Sequence, residues 1–321
     1  MKPKCKCFVL LMLISSTCFC QHADTLFHKL DSLSMKDDSI KKQININPEA
    51  YNETTKINIP TYFILLGSNL KQQVTGPFHT SKKSWKQVGG FALLTGALAF
   101  ADVPIQRQAL KWRNNSAAVR DVSKFITNFG ASYETYTLVS LAAYGFVFKN
   151  EKIKTTTFLA TQAYITGGMV ESITKFLTGR QRPSYYGTDS IAARATFHGP
   201  FDIAGRQYQG KTVSSSFPSG HTTVAFAAAT VFAMEYKDKP FIPILAYSAA
   251  TLVGLSRITE NKHWTTDVLV GAGLGYLSGR QVVRNYHRYA RLKSAKQESK
   301  RLSFTLQYNY GQLQPGFVYK F

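Results

Sequence analysis

The sequence predicts an all-α protein: a six-helix membrane-type bundle over residues 86–284, followed by a short C-terminal β-hairpin over residues 300–321. Three observations predict it. Apolar stretches recur six times between Val88 and Val283. Their Ala, Gly, Ser and Thr content lets helix backbones approach closely within or beside a membrane. After Lys300 the pattern switches to alternation with a period of two, the mark of a strand.

Taken in order, residues 1–20 read as a signal peptide. Lys2, Lys4 and Lys6 form a basic start, Phe8 to Ile14 a short apolar core, and small residues lead to a cut after Cys20. The apolar run is too short to cross a bilayer. A lipid anchor on Cys18 is the alternative, although Thr17 before it makes a poor acylation signal. All four cysteines (Cys5, Cys7, Cys18, Cys20) lie in this leader, so the mature chain has neither a disulfide nor a thiol nucleophile. Residues 21–85 form a lead-in, polar and without a sustained period to about residue 60. Within it Tyr62–Leu66 is a short apolar patch able to pack on the helices after it.

The apolar stretches are Val88–Ala101, Tyr136–Phe148, Thr157–Leu177, Thr222–Met234, Phe241–Leu255 and Val268–Leu277. Each falls short of roughly 20 apolar residues, so a soluble bundle is the alternative to six spans extended by polar turns. In the tail, Leu302, Phe304, Leu306, Tyr308 and Tyr310 alternate with polar residues, and Phe317, Tyr319 and Phe321 alternate after the turn residues 311–316. The formal charge of +21 suits anionic lipid headgroups or phosphate-bearing ligands. Nucleic acid is not the expected partner, because an exported protein seldom meets it.

Three short blocks carry chemistry. Lys175 is followed by six residues and then Arg182-Pro183; Pro218-Ser219-Gly220-His221 comes next; Ser256-Arg257 is followed by five residues, His263, three residues and Asp267. Lys175, Arg182 and Arg257 are cations in or beside apolar helices. A charge left in lipid costs about 2.5–3.5 kcal/mol even on a lenient scale, so they should turn inward and share an anion. Glu171, one turn before Lys175, could pair with that lysine alone. Pro218 suits a first helical position, with the N–H groups of Ser219 and Gly220 free to cradle phosphate. His263 and Asp267, four apart, share a face if helical, and the carboxylate could fix the imidazole tautomer that a nucleophile needs. A His–Asp surface pair or a metal site fits the same spacing. Three cations would attract an anion and repel a divalent metal, so no metal and no cofactor is expected.

Together the blocks KFLTGRQRP, PSGH and SRITENKHWTTD resemble the tripartite signature of the type 2 phosphatidic acid phosphatase (PAP2) superfamily, in its order and without mismatch. That family also includes soluble acid phosphatases and vanadium haloperoxidases. The resemblance covers about Val88 to Val283, not the lead-in or the tail. It implies a metal-independent phosphatase in which His263 attacks phosphorus, Asp267 orients it, and His221 serves as general acid and then base. Lys175, Arg182, Ser219, Gly220 and Arg257 would hold the phosphate oxygens. A lipid phosphate is the implied substrate, an anionic membrane surface the implied partner, and the cell envelope with a periplasm-facing site the implied location. A soluble acid phosphatase, a haloperoxidase and a non-enzymatic lipid binder remain as alternatives. Arg194, His198 and Arg206, in the polar loop Ser184–Phe217, are candidates for touching a headgroup, and Arg180 is ambiguous. His22, His28, His79 and His287 belong to no motif and read as surface groups.

Overall fold

The computed structural model describes residues 56–319 apart from 131, 187–192, 201–206, 209–210, 213, 300–301 and 310–311. Residues 1–55, with the expected signal peptide and the first part of the lead-in, lie outside the described residues. The fold is mostly helical. Its helices are α1 (Ile59–Thr75), α2 (Lys82–Leu98), α3 (Asp102–Asn115), α4 (Ala117–Thr127), α5 (Ser132–Val147), α6 (Glu151–Thr178), α7 (Gly220–Glu235), α8 (Phe241–Thr259) and α9 (Thr265–Ser299). Each of the six apolar stretches falls within a helix or its last turn, in α2, α5, α6, α7, α8 and α9. Three more helices lie outside those stretches: α1, which contains the short Tyr62–Leu66 patch, and the more polar α3 and α4. Two antiparallel strand pairs complete the described fold: β1 (Gln207–Tyr208) with β2 (Lys211–Thr212), and β3 (Leu302–Asn309) with β4 (Gln312–Tyr319). Phe304 and Phe317 face each other across the second pair, with ring centroids 5.5 Å apart.

The bundle is organised around α7, against which α6, α8 and α9 pack. The contact with α9 depends on Gly271, Gly275 and Gly279, one per helical turn. A Cβ on Gly271 would stand 2.7 Å from the Ser219 carbonyl, and one on Gly279 2.5 Å from the Ala227 carbonyl. Glycine is required there because backbone meets backbone. This close seam brings the first turns of α7 and α9, which carry the second and third motif blocks, side by side. Beyond it, Leu65, Leu159, Ala163, Val231, Val282, Val283 and Tyr286 form the main apolar core. Leu65, from the Tyr62–Leu66 patch, is fully buried in it.

The outside of the bundle is unusually apolar. Leu93, Phe100, Val139, Phe146, Ile244 and Leu245 are all exposed. Two helical segments, Lys82–Asn115 and Phe241–Thr259, are long and apolar enough to cross a membrane. Only 11% of the most apolar window of the first is buried, so it is not the core helix of a soluble bundle.

Candidate active site

The three motif blocks meet at one end of the bundle, each placed by a local device. Helix α6 ends at Gly179, whose left-handed φ of 54° lets its N–H close on the Lys175 carbonyl at 3.0 Å. Lys175 stays on the last turn, while the chain turns at Gly179 and brings Arg182 within electrostatic reach of it. Helix α8 ends after Arg257, and Asn261 at φ 55° turns the chain again. The N–H groups of Lys262 and His263 both donate to the Arg257 carbonyl, at 3.0 and 3.2 Å, which ties the imidazole to the cation before it.

Helix α7 starts at Gly220 with Ser219 as its N-cap. Pro218 therefore precedes the cap and is not the first helical residue. The expected pair of free amides is reduced as well. The Ser219 N–H donates to the Asp267 carbonyl at 3.0 Å, which joins α7 to α9. The Gly220 amide keeps the N1 position, where a helix offers no internal partner. A Cβ on Gly220 would lie 2.5 Å from Glu171 Oε1 and 3.4 Å from Lys175 Nζ, so the Glu171–Lys175 ion pair sits directly on this helix start. The fully buried Ser219 hydroxyl accepts from Thr222 Oγ1 at 2.8 Å, leaving its own hydrogen available.

His263 precedes α9 and is not on it, so the shared helix face anticipated for His263 and Asp267 does not form. The Nδ1 of His263 lies 2.7 Å from the Ser216 carbonyl oxygen and 3.6 Å from Asp267 Oδ2. A carbonyl only accepts, so Nδ1 carries the hydrogen and Nε2 keeps its lone pair. The tautomer anticipated from sequence is present, but a backbone carbonyl fixes it and Asp267 does not. Asp267 accepts instead from the Trp264 N–H at 2.9 Å, the N3-to-N-cap half of a capping box. It also accepts from the Ser216 hydroxyl and from Arg180.

Lys175, Arg182 and Arg257 all lie within electrostatic reach of both His221 and His263. Burial foremost, then Arg182, Arg257 and Lys175, hold His263 well below the ordinary imidazole pKa, against a smaller upward pull from its bond to Ser216. The free base is thus its resting form. Arg182 is steadied by Ser215, through Nε to Oγ at 3.1 Å and Nη2 to the carbonyl at 3.2 Å. Arg257 is steadied by Thr127 Oγ1 on α4, at 2.6 Å. His221, in the first turn of α7, packs against Gly130.

Some residues stand elsewhere than the sequence suggests. Arg180 is not a bystander: only 1% exposed, it stacks on Phe197 and is held between Asp102 and Asp267. His287 is buried and bonded to Glu235 at 2.8 Å, so it is no surface group. His79 does lie at the surface, beside the Thr75 carbonyl. His198 contacts Thr196 at 3.3 Å, Arg194 is exposed, and Arg206 lies outside the described residues, as do His22 and His28. Asp102, Ser215, Ser216 and Thr127 had no sequence signal except one: Asp102 is a lone acid directly after the Val88–Ala101 apolar stretch.

A model of the PAP2 superfamily matches residues 156–291. The chain is 46% identical over 76 residues to the lipid A 1-phosphatase of Porphyromonas gingivalis, covering 23% of this chain and 17% of that protein. It is 33% identical over 137 residues to lipid phosphate phosphatase 1 of Arabidopsis thaliana, covering 38% and 42%. It therefore spans less than half the length of either relative. Among solved structures, that of Aquifex aeolicus LpxE aligns with a TM-score of 0.42 at 23% identity, over 57% of this chain and 95% of the other. The segment matched by the PAP2 superfamily model contains Lys175, Arg182, His221, Arg257, His263 and Asp267.

Proposed function

We propose that the chain is a metal-independent lipid-phosphate phosphatase of the bacterial cell envelope, working through a phosphohistidine intermediate. One observation carries the reading: an imidazole with a free Nε2 lone pair and a second imidazole lie together within reach of three buried or half-buried cations. A cationic pocket with two imidazoles binds a phosphoryl group and reacts with it; a site for lipid binding alone would not need the pair.

In the first step Nε2 of His263 attacks phosphorus and the bond to the leaving oxygen breaks; His221, a free base at rest beside the three cations, takes up a proton as the bound phosphate offsets their charge and gives it to that oxygen. In the second, His221 takes a proton from water, whose oxygen attacks phosphorus and releases phosphate with His263 restored. Lys175, Arg182, Arg257, the Ser219 hydroxyl and the Gly220 amide stabilise the charge on the equatorial oxygens, where preorganised donors contribute most. Asp267 acts by holding the Ser216 segment. The exposed apolar sides of α2, α5 and α8 support a membrane-embedded bundle with the site at one end, and in this reading that end faces the periplasm. The substrate is a phospholipid, a polyprenyl (di)phosphate or a lipid A phosphate, and the last heads the series because a relative is named for it.

The test is phosphate release by detergent-purified protein from lipid A, phosphatidic acid, phosphatidylglycerol phosphate, polyprenyl diphosphate and p-nitrophenyl phosphate. Lipid substrates should be favoured, vanadate should inhibit, and EDTA should have no effect. A preference for the soluble ester would support an acid phosphatase instead. Peroxide-dependent halide oxidation with vanadate would mean a haloperoxidase. Binding of lipid without hydrolysis of any substrate would sink the enzymatic reading.

A further inference from the structure

Helix α3 lies outside the family match and outside all three motif blocks, yet its buried face grips the loop that carries His263. Asp102, Gln106 and Arg113 fall on one face, at spacings of four and seven. Asp102 Oδ1 accepts from the Thr266 N–H at 2.9 Å, and Oδ2 accepts from the Thr266 hydroxyl at 2.5 Å and from Arg180 Nη2 at 2.7 Å. Gln106 Nε2 donates to Asn261 Oδ1 at 2.8 Å, and Arg113 Nε approaches Glu260 Oε1 at 3.9 Å. Residues on both sides of His263 are thus held by a single helix.

One of these contacts continues to the imidazole. Arg180 forks: Nη2 meets Asp102, while Nη1 meets Asp267 and, at 2.7 Å, Thr266 Oγ1. Asp267 receives the Ser216 hydroxyl, and the Ser216 carbonyl receives the Nδ1–H of His263 at 2.7 Å. We propose that Asp102 is a positioning residue for His263, acting through Arg180 and Asp267 on the Ser216 carbonyl that fixes the imidazole tautomer. This rests on His263 being the nucleophile. A guanidinium shared by two carboxylates is held from both ends, and both Asp102 and Asp267 are fully buried. With one anion removed, Arg180 turns its whole fork to Asp267, and the paired geometry it favours draws that carboxylate off Ser216 and Trp264. The carbonyl then shifts, and with it the ring.

The experiment is a double-mutant cycle on the full chain in detergent. Asp102→Asn should lower kcat about 10- to 100-fold, the scale of a small misplacement of a reacting group, with KM within about twofold. In an Asp267→Asn background the same substitution should cost less than about threefold, because the two act in series. Losses that multiply independently, or a change confined to KM, would overturn the proposal. A second readout needs no turnover: histidine ¹⁵N NMR, with the His263 signals identified by their absence in His263→Ala. Asp102→Asn should convert a pure Nδ1–H tautomer into a mixture; an unchanged tautomer counts against the proposal. That measurement stays informative even if no phosphate ester proves to be a substrate. Thr266→Val covers the case in which Asp102→Asn does not fold. It removes the hydroxyl shared by Asp102 and Arg180 without leaving a buried charge short of its counterion, and should give the same kcat-only loss, smaller in size.

Discussion

Two buried imidazole–carboxylate pairs stand at opposite ends of the bundle: His263, just before α9, with Asp267 in its first turn, and His287 on α9 with Glu235 at the end of α7. At one end His263 lies 3.6 Å from Asp267, bonded to a carbonyl and ringed by Lys175, Arg182 and Arg257. About 21 Å away along α7, at ~1.5 Å per residue from His221 to Glu235, His287 bonds Glu235 directly at 2.8 Å. By proximity alone the second pair looks more like a catalytic dyad. What distinguishes the first is its company: three cations and a second imidazole in reach, with the ring's outer nitrogen left unspoken for among the described residues. The direct bond of the second ties down its Nε2 and suits a structural cross-link between α7 and α9. A buried His–carboxylate pair is therefore not in itself a catalytic sign.

The difference makes a direct contrast. His263→Ala should abolish hydrolysis by about 10³-fold or more, as loss of a nucleophile does, whereas His287→Ala should leave kcat within about threefold. Phosphate release by the two purified variants checks this; equal losses would mean that the far pair takes part in the chemistry.

A smaller effect should come from removing a single cation. Arg182→Gln should cost about 10²–10³-fold in rate, the usual scale for one oxyanion donor. It should also move the pH profile, with a definite sign. In the native protein burial and the three cations keep His263 deprotonated well below pH 6.5, so kcat/KM should hold on the acid side through that region. Without Arg182 the imidazolium is less disfavoured, the pKa of His263 rises, and the acid-side decline should begin at higher pH. A profile that merely scales down without shifting would show that Arg182 does not act on His263.

The smallest effect concerns stability. His287→Ala takes a hydrogen bond from a fully buried Glu235 and should cost about 1–3 kcal/mol, read as a lower Tm with activity kept below the transition. An unchanged Tm would mean that the pair contributes nothing to joining the helices.

The candidate site residues were legible because three short blocks bring them: the residue types and their spacings survive without any coordinates. The six principal apolar helices were legible for a similar reason, since composition marks a helix that packs closely or faces lipid. Helices α1, α3 and α4 were not: of α1 only the Tyr62–Leu66 patch stood out, and the residues that α1 and α3 bury are largely polar. Thr61, Ser68 and Asn69 on α1, and Asp102, Gln106 and Arg113 on α3, are all buried. His287 was misread for the same reason: its partner Glu235 lies 52 residues away on another helix.

The amino-acid order alone pointed to the groups proposed to meet a phosphate, and to their need to converge. It could not settle how the imidazole is held, and there the spacing of His263 and Asp267 misled. The ring's partner is the backbone of Ser216, 47 residues distant, and the anchor of the Arg180 fork is Asp102, 164 residues from the Thr266 that it also binds. A carbonyl has no side-chain identity to read, and a buried aspartate looks like any other until packing brings its counterion alongside. Only the close Gly271–Gly275–Gly279 seam and the turns at Gly179 and Asn261 bring those distant groups within hydrogen-bond range.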